Sequence, residues 1–291
     1  MRELCGPMSG KMAVADALPS NRSVAASSVR TRMEVRAFVA KPDMRTRLDH
    51  PPLELLRGAS LFLDFDGTLV EIAERPDAVQ IDAMLVQLLG ELEVRLSGRL
   101  ALISGRPAQE LRNLLGIHTL FVVGSHGLEF HWRDGPSELV ERPRSLGAAL
   151  QARRDFAARN PGVLVEDKPL GAALHFRQAP EAEAACLGLA RQLADQHQLH
   201  LQHGKMMAEV RATGGDKGSA IRRLMAEPGL ELTHPVFLGD DLTGEAGFPT
   251  GAEMGGAGIL IGPARDTAAR YCLGSVGETL NWLRAACETA A

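Results

Sequence analysis

The sequence predicts an α/β protein built on a parallel sheet, with a smaller α+β unit inserted into it. Three short apolar runs with the character of buried strands lie at residues 61–63, 100–103 and 235–238. Three helix-like stretches alternate with them, at residues 83–96, 107–115 and 217–226. Strands and helices that alternate along a chain form parallel sheets. Between residues 141 and 211 the pattern changes to short strands of alternating polar and apolar residues, which indicates a separate unit.

The first apolar run ends in two acids. Asp64 and Asp66 lie two residues apart, on one side of the backbone, and Gly67 lets the chain turn after them. Their like charges would repel each other and raise one pKa unless a hard cation such as Mg²⁺ neutralised them. The plainer interpretation is an acidic turn at the end of a strand, with no metal.

The other two runs also end in polar residues. Ser104 follows the second run and Asp240 follows the third. Open parallel sheets bind ligands beyond the carboxyl ends of their strands, so we expect Asp64, Ser104 and Asp240 to converge on one site. Taken alone, Ser104 would be an ordinary turn serine, and Lys217 a solvated lysine at the start of a helix.

In its motifs the chain resembles the haloacid-dehalogenase-like (HAD) phosphatases. Four motifs occur in the order of that superfamily: Asp-Phe-Asp-Gly-Thr at 64–68, Ser104, Lys217 within Gly-Asp-Lys-Gly, and Gly-Asp-Asp at 239–241. Within the superfamily it is similar to the trehalose-6-phosphate phosphatase family. The matching blocks are Leu-Ile-Ser-Gly-Arg at 102–106, Gly-Ser-His-Gly at 124–127, Ala-Leu-His-Phe-Arg at 173–177, Gly-Lys at 204–205 with Glu-Val at 209–210, and 236–243. This resemblance implies a Rossmann-like core with an inserted C2-type cap, and Mg²⁺-dependent hydrolysis of trehalose 6-phosphate, the last step of trehalose biosynthesis.

The resemblance also implies roles for the motif residues. Asp64 attacks phosphorus and forms an aspartyl phosphate, while Asp66 protonates the leaving sugar oxygen and binds metal through its main-chain carbonyl. Lys217 and Ser104 stabilise the phosphoryl oxygens. The catalytic set is therefore Asp64, Asp66, Ser104 and Lys217, and the metal ligands are Asp64, Asp66, Asp240 and Asp241.

One position departs from the family pattern. The fourth motif usually continues Gly-Asp-Asp-x-Thr-Asp-Glu, whereas this chain has Gly244 in place of the second-last acid. Loss of a residue that supports a metal site commonly costs about 10- to 100-fold in metal affinity or activity. We therefore expect a working site with weakened metal binding, and low activity is the alternative.

The inserted unit is predicted to have the order αββαββ. Its elements are expected at residues 146–159, 162–168, 172–177, 181–197, 199–202 and 205–211, with the last hairpin turning at His203 and Gly204. One face of the sheet should pack on helices, and the other is polar, with acids and bases mixed. Such a face suits sugar hydroxyls, which both donate and accept hydrogen bonds, although a merely solvated surface is the alternative.

Substrate contacts are implied by the resemblance. Glu166, Lys168 and Glu209 should bind the disaccharide, with Lys205, His175 and Arg177 beside them. The full set expected to bind substrate is Gly67, Thr68, Gly105, Arg106, His126, Glu166, Lys168, His175, Arg177, Lys205 and Glu209. For His126 the alternative is an ordinary turn histidine.

Composition excludes several other classes of function. The chain has 291 residues and a net charge of −4, which gives no electrostatic case for nucleic acid or an anionic membrane. Aromatic residues make up 4% of it, too few to offer much stacking surface to a nucleobase. Its four cysteines are far apart, without metal-binding spacing, and no apolar run approaches the length of about 20 residues that spans a membrane. We expect a cytoplasmic monomer with reduced thiols that acts on a small sugar phosphate.

Three regions follow from this reading. Residues 1–50 are predicted to be a disordered extension without a secretory signal, and translation could also start at Met33 or Met44. Residues 51–141 and 212–291 form the predicted core, and residues 142–211 the predicted cap.

Two other functions remain open at this stage. The chain could be a phosphatase or mutase for another sugar phosphate, or a sugar-phosphate sensor whose catalysis lapsed with the change at Gly244.

Overall fold

The computed structural model describes residues 48–73, 75, 78–133 and 135–289, and the structural statements below concern these residues. In chain order its elements are β1 (Ala59–Leu63), α1 (Ala83–Arg95), β2 (Leu100–Ile103), α2 (Ala108–Leu115), β3 (Phe121–Gly124), β4 (Glu129–His131), β5 (Ser137–Leu139), α3 (Ser145–Ala158), β6 (Leu164–Lys168), β7 (Gly171–His175), α4 (Glu183–His197), β8 (His200–Gly204), β9 (Met207–Arg211), α5 (Lys217–Leu224), β10 (His234–Gly239), α6 (Gly247–Glu253), β11 (Ala257–Ile261), β12 (Tyr271–Leu273) and α7 (Val276–Thr289). Short 3-10 turns lie at Leu53–Leu56, Pro180–Ala182 and Gly244–Ala246.

The larger sheet has eight strands in the order β12-β11-β10-β1-β2-β3-β4-β5. The strands from β12 to β3 are parallel, and β4 and β5 add an antiparallel edge. Both faces of this sheet are covered. Leu61 and Leu63 belong to a core with α1 and α7, whereas Phe62 faces a second core with α5 and α6. The central strands are apolar throughout because both of their faces are buried, which confirms the predicted α/β fold class.

The helices of the core lie where the sequence placed them. The predicted helices at 83–96, 107–115 and 217–226 are α1, α2 and α5, each within two residues of the expected ends. Asp82 caps α1 through its side chain, which accepts a hydrogen bond from the Met84 amide at 2.9 Å. Asp216 and Ser219 form a capping box at the start of α5. That box fixes the direction in which Lys217, the first residue of α5, leaves the loop.

The smaller sheet is antiparallel, in the order β6-β7-β9-β8. Its apolar face packs against α3 and α4, in a cluster that includes Leu146, Leu174, Cys186 and Val210. The element order αββαββ is the predicted one. The described residues all fall in one compact unit, and the limits of the two predicted domains stay predictions.

Two predicted boundaries in this smaller sheet were wrong. Strand β6 begins at Leu164 because residues 162 and 163 lie in a turn, where the Val163 amide donates to the Asn160 carbonyl at 3.1 Å. The last hairpin turns at Lys205 and Met206, since Gly204 still pairs with Met207. A Cβ atom on Gly204 would lie 2.7 Å from Met207 Cγ, so this glycine serves close packing within the strand rather than the turn.

The predicted N-terminal extension lies almost entirely outside the described residues. Of its fifty residues the structure describes Leu48, Asp49 and His50, which contact the core, and the predicted limit of the extension stays a prediction. Leu48 packs on the second core, and the Asp49 carbonyl accepts a hydrogen bond from the Cys272 amide at 3.0 Å. Among the described cysteines, Cys186 and Cys287 are buried free thiols. The described helices are all too short or too polar to cross a membrane.

Candidate active site

The predicted site residues meet at one edge of the larger sheet. Asp64, Ser104 and Asp240 each follow one of three adjacent parallel strands, β1, β2 and β10. All three side chains are buried. Because the carboxyl ends of these strands lie side by side, residues 176 positions apart in the sequence become neighbours, as the sequence predicted.

Three carboxylates form the centre of the site. One oxygen from each of Asp64, Asp240 and Asp241 lies within 4.8 Å of the others. Burial raises the pKa of Asp64 to about 7, with Lys217 opposing the rise and Asp241 and Asp240 adding to it. A buried group of like charges with oxygen ligands suits a hard divalent cation, so these residues fit Mg²⁺.

Lys217 is the cation that the chain itself contributes to this centre. Its ammonium group forms an ion pair with Asp64 Oδ2 and lies 3.9 Å from Asp241 Oδ1. Burial by itself would lower the pKa of Lys217, but Asp64, Asp241 and Asp240 outweigh it, and the pKa is raised. Lys217 therefore stays charged beside three carboxylates, of which those of Asp64 and Asp240 are buried and that of Asp241 is one quarter exposed.

The chain passes very close to Asp240 as it leaves the first motif. Gly67 has φ +77°, and a Cβ atom there would collide with the Asp240 carboxylate. Thr68 is fully buried, and its hydroxyl has no hydrogen-bond partner among the described residues. Gly67 and Thr68 are not among the residues that line the cleft, and their contact with substrate stays a prediction.

The Asp66 carboxylate binds Arg106 and does not belong to the cluster of three acids. Arg106 Nε donates to Asp66 Oδ2 at 2.7 Å, and Nη2 donates to Oδ1 at 2.9 Å. Arg106 also pairs with Glu110. The side chain of Asp66 is therefore not part of the carboxylate cluster, and its predicted contribution to metal binding is limited to the main-chain carbonyl.

His126 lies on a strained loop against the second motif. Ser125 and His126 have φ +47° and +57°, values that are uncommon for residues other than glycine. Buried Glu129 supports this loop, since its carboxylate accepts hydrogen bonds from the Ser125 hydroxyl and the Ala108 amide. Burial, followed by the nearby Lys217, Lys168 and Arg211, lowers the pKa of His126 well below its usual value. The imidazole is thus neutral where it faces the cleft.

The polar face of the smaller sheet covers the site. Lys168 Nζ lies 2.8 Å from Glu209 Oε2 and 3.7 Å from Glu166 Oε2, and His175 Nε2 lies 2.8 Å from the same Glu166 oxygen. Burial would lower the pKa of Lys168, but Glu209 and Glu166 outweigh it and raise that pKa. These charged groups are held apart from bulk water but remain along one wall of the cleft.

Several contacts between described residues join the smaller sheet to the core across the cleft. Lys205 Nζ lies 3.0 Å from Asp240 Oδ2, and Arg177 Nη1 donates to the Ala73 carbonyl at 2.9 Å. Lys168 Nζ lies 3.5 Å from the Gly105 carbonyl. The cleft between the sheets is lined by every predicted catalytic residue and by all the predicted substrate-binding residues except Gly67 and Thr68.

Comparison with known proteins identifies the family. A family model described as trehalose-phosphatase matches residues 62–274. The chain belongs to the trehalose-phosphatase family. It is 37% identical over 232 residues to the trehalose-6-phosphate phosphatase of Escherichia coli, covering 79% of this chain and 87% of that one. It is 34% identical to a probable trehalose-phosphate phosphatase of Sinorhizobium fredii, covering 75% of this chain and 82% of that one.

Solved structures agree with this assignment at the level of the fold. A trehalose-6-phosphate phosphatase related protein has a TM-score of 0.66 and 26% identity, covering 77% of this chain and 95% of the other. The C-terminal domain of the Candida albicans trehalose-6-phosphate phosphatase has a TM-score of 0.73 and 22% identity, covering 83% of this chain and 98% of the other. The resemblance to HAD phosphatases seen in the motifs is thereby confirmed.

The cleft of this trehalose-phosphatase family member contains residues that the sequence did not reveal. Ile72, Ala73 and Val79 line it from the segment after the first motif, and Met207 and Gln202 from the last hairpin. Gln202 lies opposite Glu209 on the neighbouring strand, and paired residues of two strands face the same side of a sheet. The predicted hairpin therefore carried a signal for Gln202. The apolar residues belong to no motif, and no local signal marks them.

Gly244 lies at the start of a 3-10 turn beside two phenyl rings. A Cβ atom added there would lie 3.5 Å from Phe248 and 3.6 Å from Phe237, an ordinary packing distance. Its φ is outside the left-handed region, so a side chain meets no backbone strain. The expectation that the missing acid weakens metal binding stays a prediction.

Proposed function

We propose that this chain hydrolyses trehalose 6-phosphate to trehalose and phosphate, with Mg²⁺ and an aspartyl-phosphate intermediate. The observation that carries the proposal is the composition of the cleft. A buried carboxylate and lysine centre suited to phosphoryl transfer forms one wall, and a charged sheet face suited to sugar hydroxyls forms the other. Family membership and the names of the similar proteins support the same substrate.

Asp64 is the nucleophile in this mechanism. One carboxylate oxygen forms a bond to phosphorus while the bond from phosphorus to the sugar oxygen breaks, which leaves an aspartyl phosphate. The Phe65 amide donates to Asp64 Oδ1 at 2.8 Å and Lys217 binds Oδ2, so the carboxylate is held in a fixed orientation. Water then attacks phosphorus and releases phosphate and the carboxylate.

Charge stabilisation comes from the residues around Asp64. Lys217 and the Ser104 hydroxyl are placed to contact phosphoryl oxygens, on which negative charge accumulates during transfer. Asp64, Asp240 and Asp241 would hold Mg²⁺, with the Asp66 carbonyl as a further ligand implied by the resemblance. When bound, the ion would add positive charge that stabilises the phosphoryl oxygens.

Asp66 serves as general acid and then as general base. It gives a proton to the departing sugar oxygen and later takes one from the attacking water. To do so, its carboxylate must turn from Arg106 toward the phosphoryl group. Glu110 remains on Arg106 when Asp66 turns, so the arginine is not left without an ionic partner.

The smaller sheet selects the sugar. Lys168 pairs with both Glu166 and Glu209, and these three side chains would bind hydroxyls of the disaccharide, with His175, Arg177 and Lys205 at their edges.

Phosphate release from a panel of sugar phosphates tests the proposal. We expect trehalose 6-phosphate to give the highest kcat/KM, and EDTA to abolish turnover until Mg²⁺ is restored. Preference for sucrose 6-phosphate or glucosylglycerate phosphate would replace the assigned substrate with another sugar phosphate. Tight binding of trehalose 6-phosphate without turnover at saturating Mg²⁺ would indicate a sensor instead.

A further inference from the structure

A single arginine clasps the loop that carries Asp240 and Asp241. Arg265 Nη1 donates to the Asp240 carbonyl at 2.5 Å, and Nη2 donates to the Asp241 carbonyl at 2.9 Å. The same guanidinium binds Glu245 Oε1 through Nη2 at 2.7 Å and through Nε at 3.2 Å. One side chain therefore ties two predicted metal-ligand residues to the turn that follows them.

Glu245 is itself anchored on the segment after β11. The Thr267 hydroxyl lies 2.9 and 3.0 Å from its two carboxylate oxygens, and the Ala268 amide donates to Oε2 at 3.1 Å. Arg265 and Glu245 are each about one quarter exposed, so water screens their ion pair only in part. One hydrogen-bond network thus fixes the loop after β10 to the loop after β11.

Arg265 binds the main-chain carbonyls of the two predicted ligand residues, and other groups bind their carboxylates. The Asp240 carboxyl faces Lys205 and Lys217, whereas its carbonyl faces Arg265. Asp241 Oδ1 accepts hydrogen bonds from the Thr243 amide, the Thr243 hydroxyl and the Gly244 amide at 2.9, 2.6 and 3.2 Å. Residue 244, being glycine, offers no side chain to orient these acids.

We propose that Arg265, held by Glu245, is a positioning residue that fixes Asp240 and Asp241 for cation binding in a chain without an acid at position 244. The inference rests on the proposed function in that the cation site is the one used for phosphoryl transfer. The planar guanidinium fork suits this task because it reaches two carbonyls and a carboxylate together, which a single ammonium group does not.

The test measures cation affinity directly. Mn²⁺ binding is followed by the electron paramagnetic resonance signal of the free ion, in the unmodified chain and in Arg265→Met, Arg265→Lys and Glu245→Gln. Arg222→Met is the matched control, because Arg222 pairs with Glu253 at 2.8 Å and both side chains are largely exposed. We expect Arg265→Met to raise the Mn²⁺ Kd by about tenfold or more, with little recovery in Arg265→Lys and no change in Arg222→Met.

A kinetic measurement separates positioning from a general structural role. In Arg265→Met the Mg²⁺ concentration for half-maximal activity should rise, while kcat at saturating Mg²⁺ should stay near that of the unmodified chain. An unchanged Mn²⁺ Kd in a folded Arg265→Met protein would overturn the proposal. If Arg265→Met does not fold, Glu245→Gln is the deciding variant, because it keeps the size of the side chain and removes the charge that holds Arg265. An unchanged Mn²⁺ Kd in Glu245→Gln would also overturn the proposal.

Failure of this inference and failure of the proposed function give different results. If Arg265→Met raises the Mn²⁺ Kd but the unmodified chain releases no phosphate from trehalose 6-phosphate, the positioning role of Arg265 is supported and the proposed phosphatase activity is contradicted. If the unmodified chain hydrolyses trehalose 6-phosphate and Arg265→Met leaves the Mn²⁺ Kd unchanged, the phosphatase activity is supported and the positioning role of Arg265 is contradicted.

Discussion

At the scale of single residues, the site depends on charges that have been removed from water. Asp64 is 4% exposed and Lys217 is 1% exposed, and their ion pair opposes the effect of burial on the pKa of each. Removing one partner of such a buried pair leaves an uncompensated charge, which costs more than the loss of the contact alone. Substitutions here should therefore preserve shape, so that changes in chemistry can be separated from changes in folding.

Asp64→Asn should abolish turnover while the protein still folds and binds trehalose 6-phosphate. The amide cannot attack phosphorus, and loss of a covalent nucleophile usually costs several decades of rate. Phosphate release is measured beside binding by calorimetry, with the exposed Asp155→Asn on α3 as control. Residual activity above about 1% of the unmodified chain would remove Asp64 from this role.

Gly244→Asp tests the departure from the family motif. If an acid at this position supports the metal, the Mg²⁺ concentration for half-maximal activity should fall by about tenfold, with a smaller change in maximal rate. Gly244→Ala is the control, because its Cβ atom fits at the same 3.5 Å from Phe248 without adding a carboxylate. If both variants show the unmodified Mg²⁺ dependence, the shell around the metal is complete without that acid.

At the scale of elements, alternation along the strands of the smaller sheet places core residues on one face and cleft residues on the other. Leu174, Ala208 and Val210 pack on the helices, and the residues between them, including His175 and Glu209, face the cleft. Small residues on the central strand β7 leave room above it. Gly171 has Glu209 and Arg211 as its nearest neighbours, so the Glu209 carboxylate reaches across β7 to Lys168 on β6.

Alanine at Glu166, Lys168 or Glu209 should impair hydrolysis of trehalose 6-phosphate and spare p-nitrophenyl phosphate. The small ester reaches the phosphoryl centre without sugar contacts, so only the natural substrate loses binding energy. We expect kcat/KM for trehalose 6-phosphate to fall by about tenfold or more, since a lost hydrogen bond to a charged group is worth roughly 1.5 to 3 kcal/mol. Glu181→Ala, an exposed residue ahead of α4, serves as control. Equal losses on both substrates would point to a defect in folding or closure.

At the scale of the whole molecule, two sheets enclose one cleft and the acidic centre lies between them. Contacts such as Lys205 with Asp240 join the hairpin of the smaller sheet to the strand ends of the larger one. Closure of this kind would keep water from the reacting groups. The same arrangement concentrates three carboxylates, so the stability of the whole unit should depend on a bound cation.

Mg²⁺ should therefore stabilise the folded protein, and EDTA should reverse the effect. A ligand at a hundredfold excess over its Kd contributes about 2.7 kcal/mol, which corresponds to roughly 5 to 10 °C in Tm for a chain of this size. Thermal unfolding is measured across a Mg²⁺ titration. The shift should disappear in Asp240→Asn, which removes a predicted ligand. A Tm that does not respond to Mg²⁺ in the unmodified chain would contradict a metal site in this cluster.

Much of the fold and of the acidic centre could be predicted from local patterns. The apolar runs before Asp64, Ser104 and Asp240 reflect burial on both faces of a parallel sheet, and this requirement is local enough to appear in a few consecutive residues. Chain order and the rule for strand ends then bring those three residues together. The αββαββ order of the smaller unit was visible because its strands alternate polar and apolar residues, as a sheet with one buried face requires.

Other features depend on which distant atoms come close, and no short stretch of sequence encodes them. Arg265 binds the carbonyls of Asp240 and Asp241, and a main-chain carbonyl has no residue identity to find in the sequence. The pairing of Asp66 with Arg106 required the rotamers of both side chains. Gly204 looked like the turn of a hairpin, but close packing against Met207 keeps it in the strand and moves the turn to Lys205 and Met206. Residue types and spacing thus determined the elements and the chemistry, while packing in three dimensions decided which partners each side chain meets.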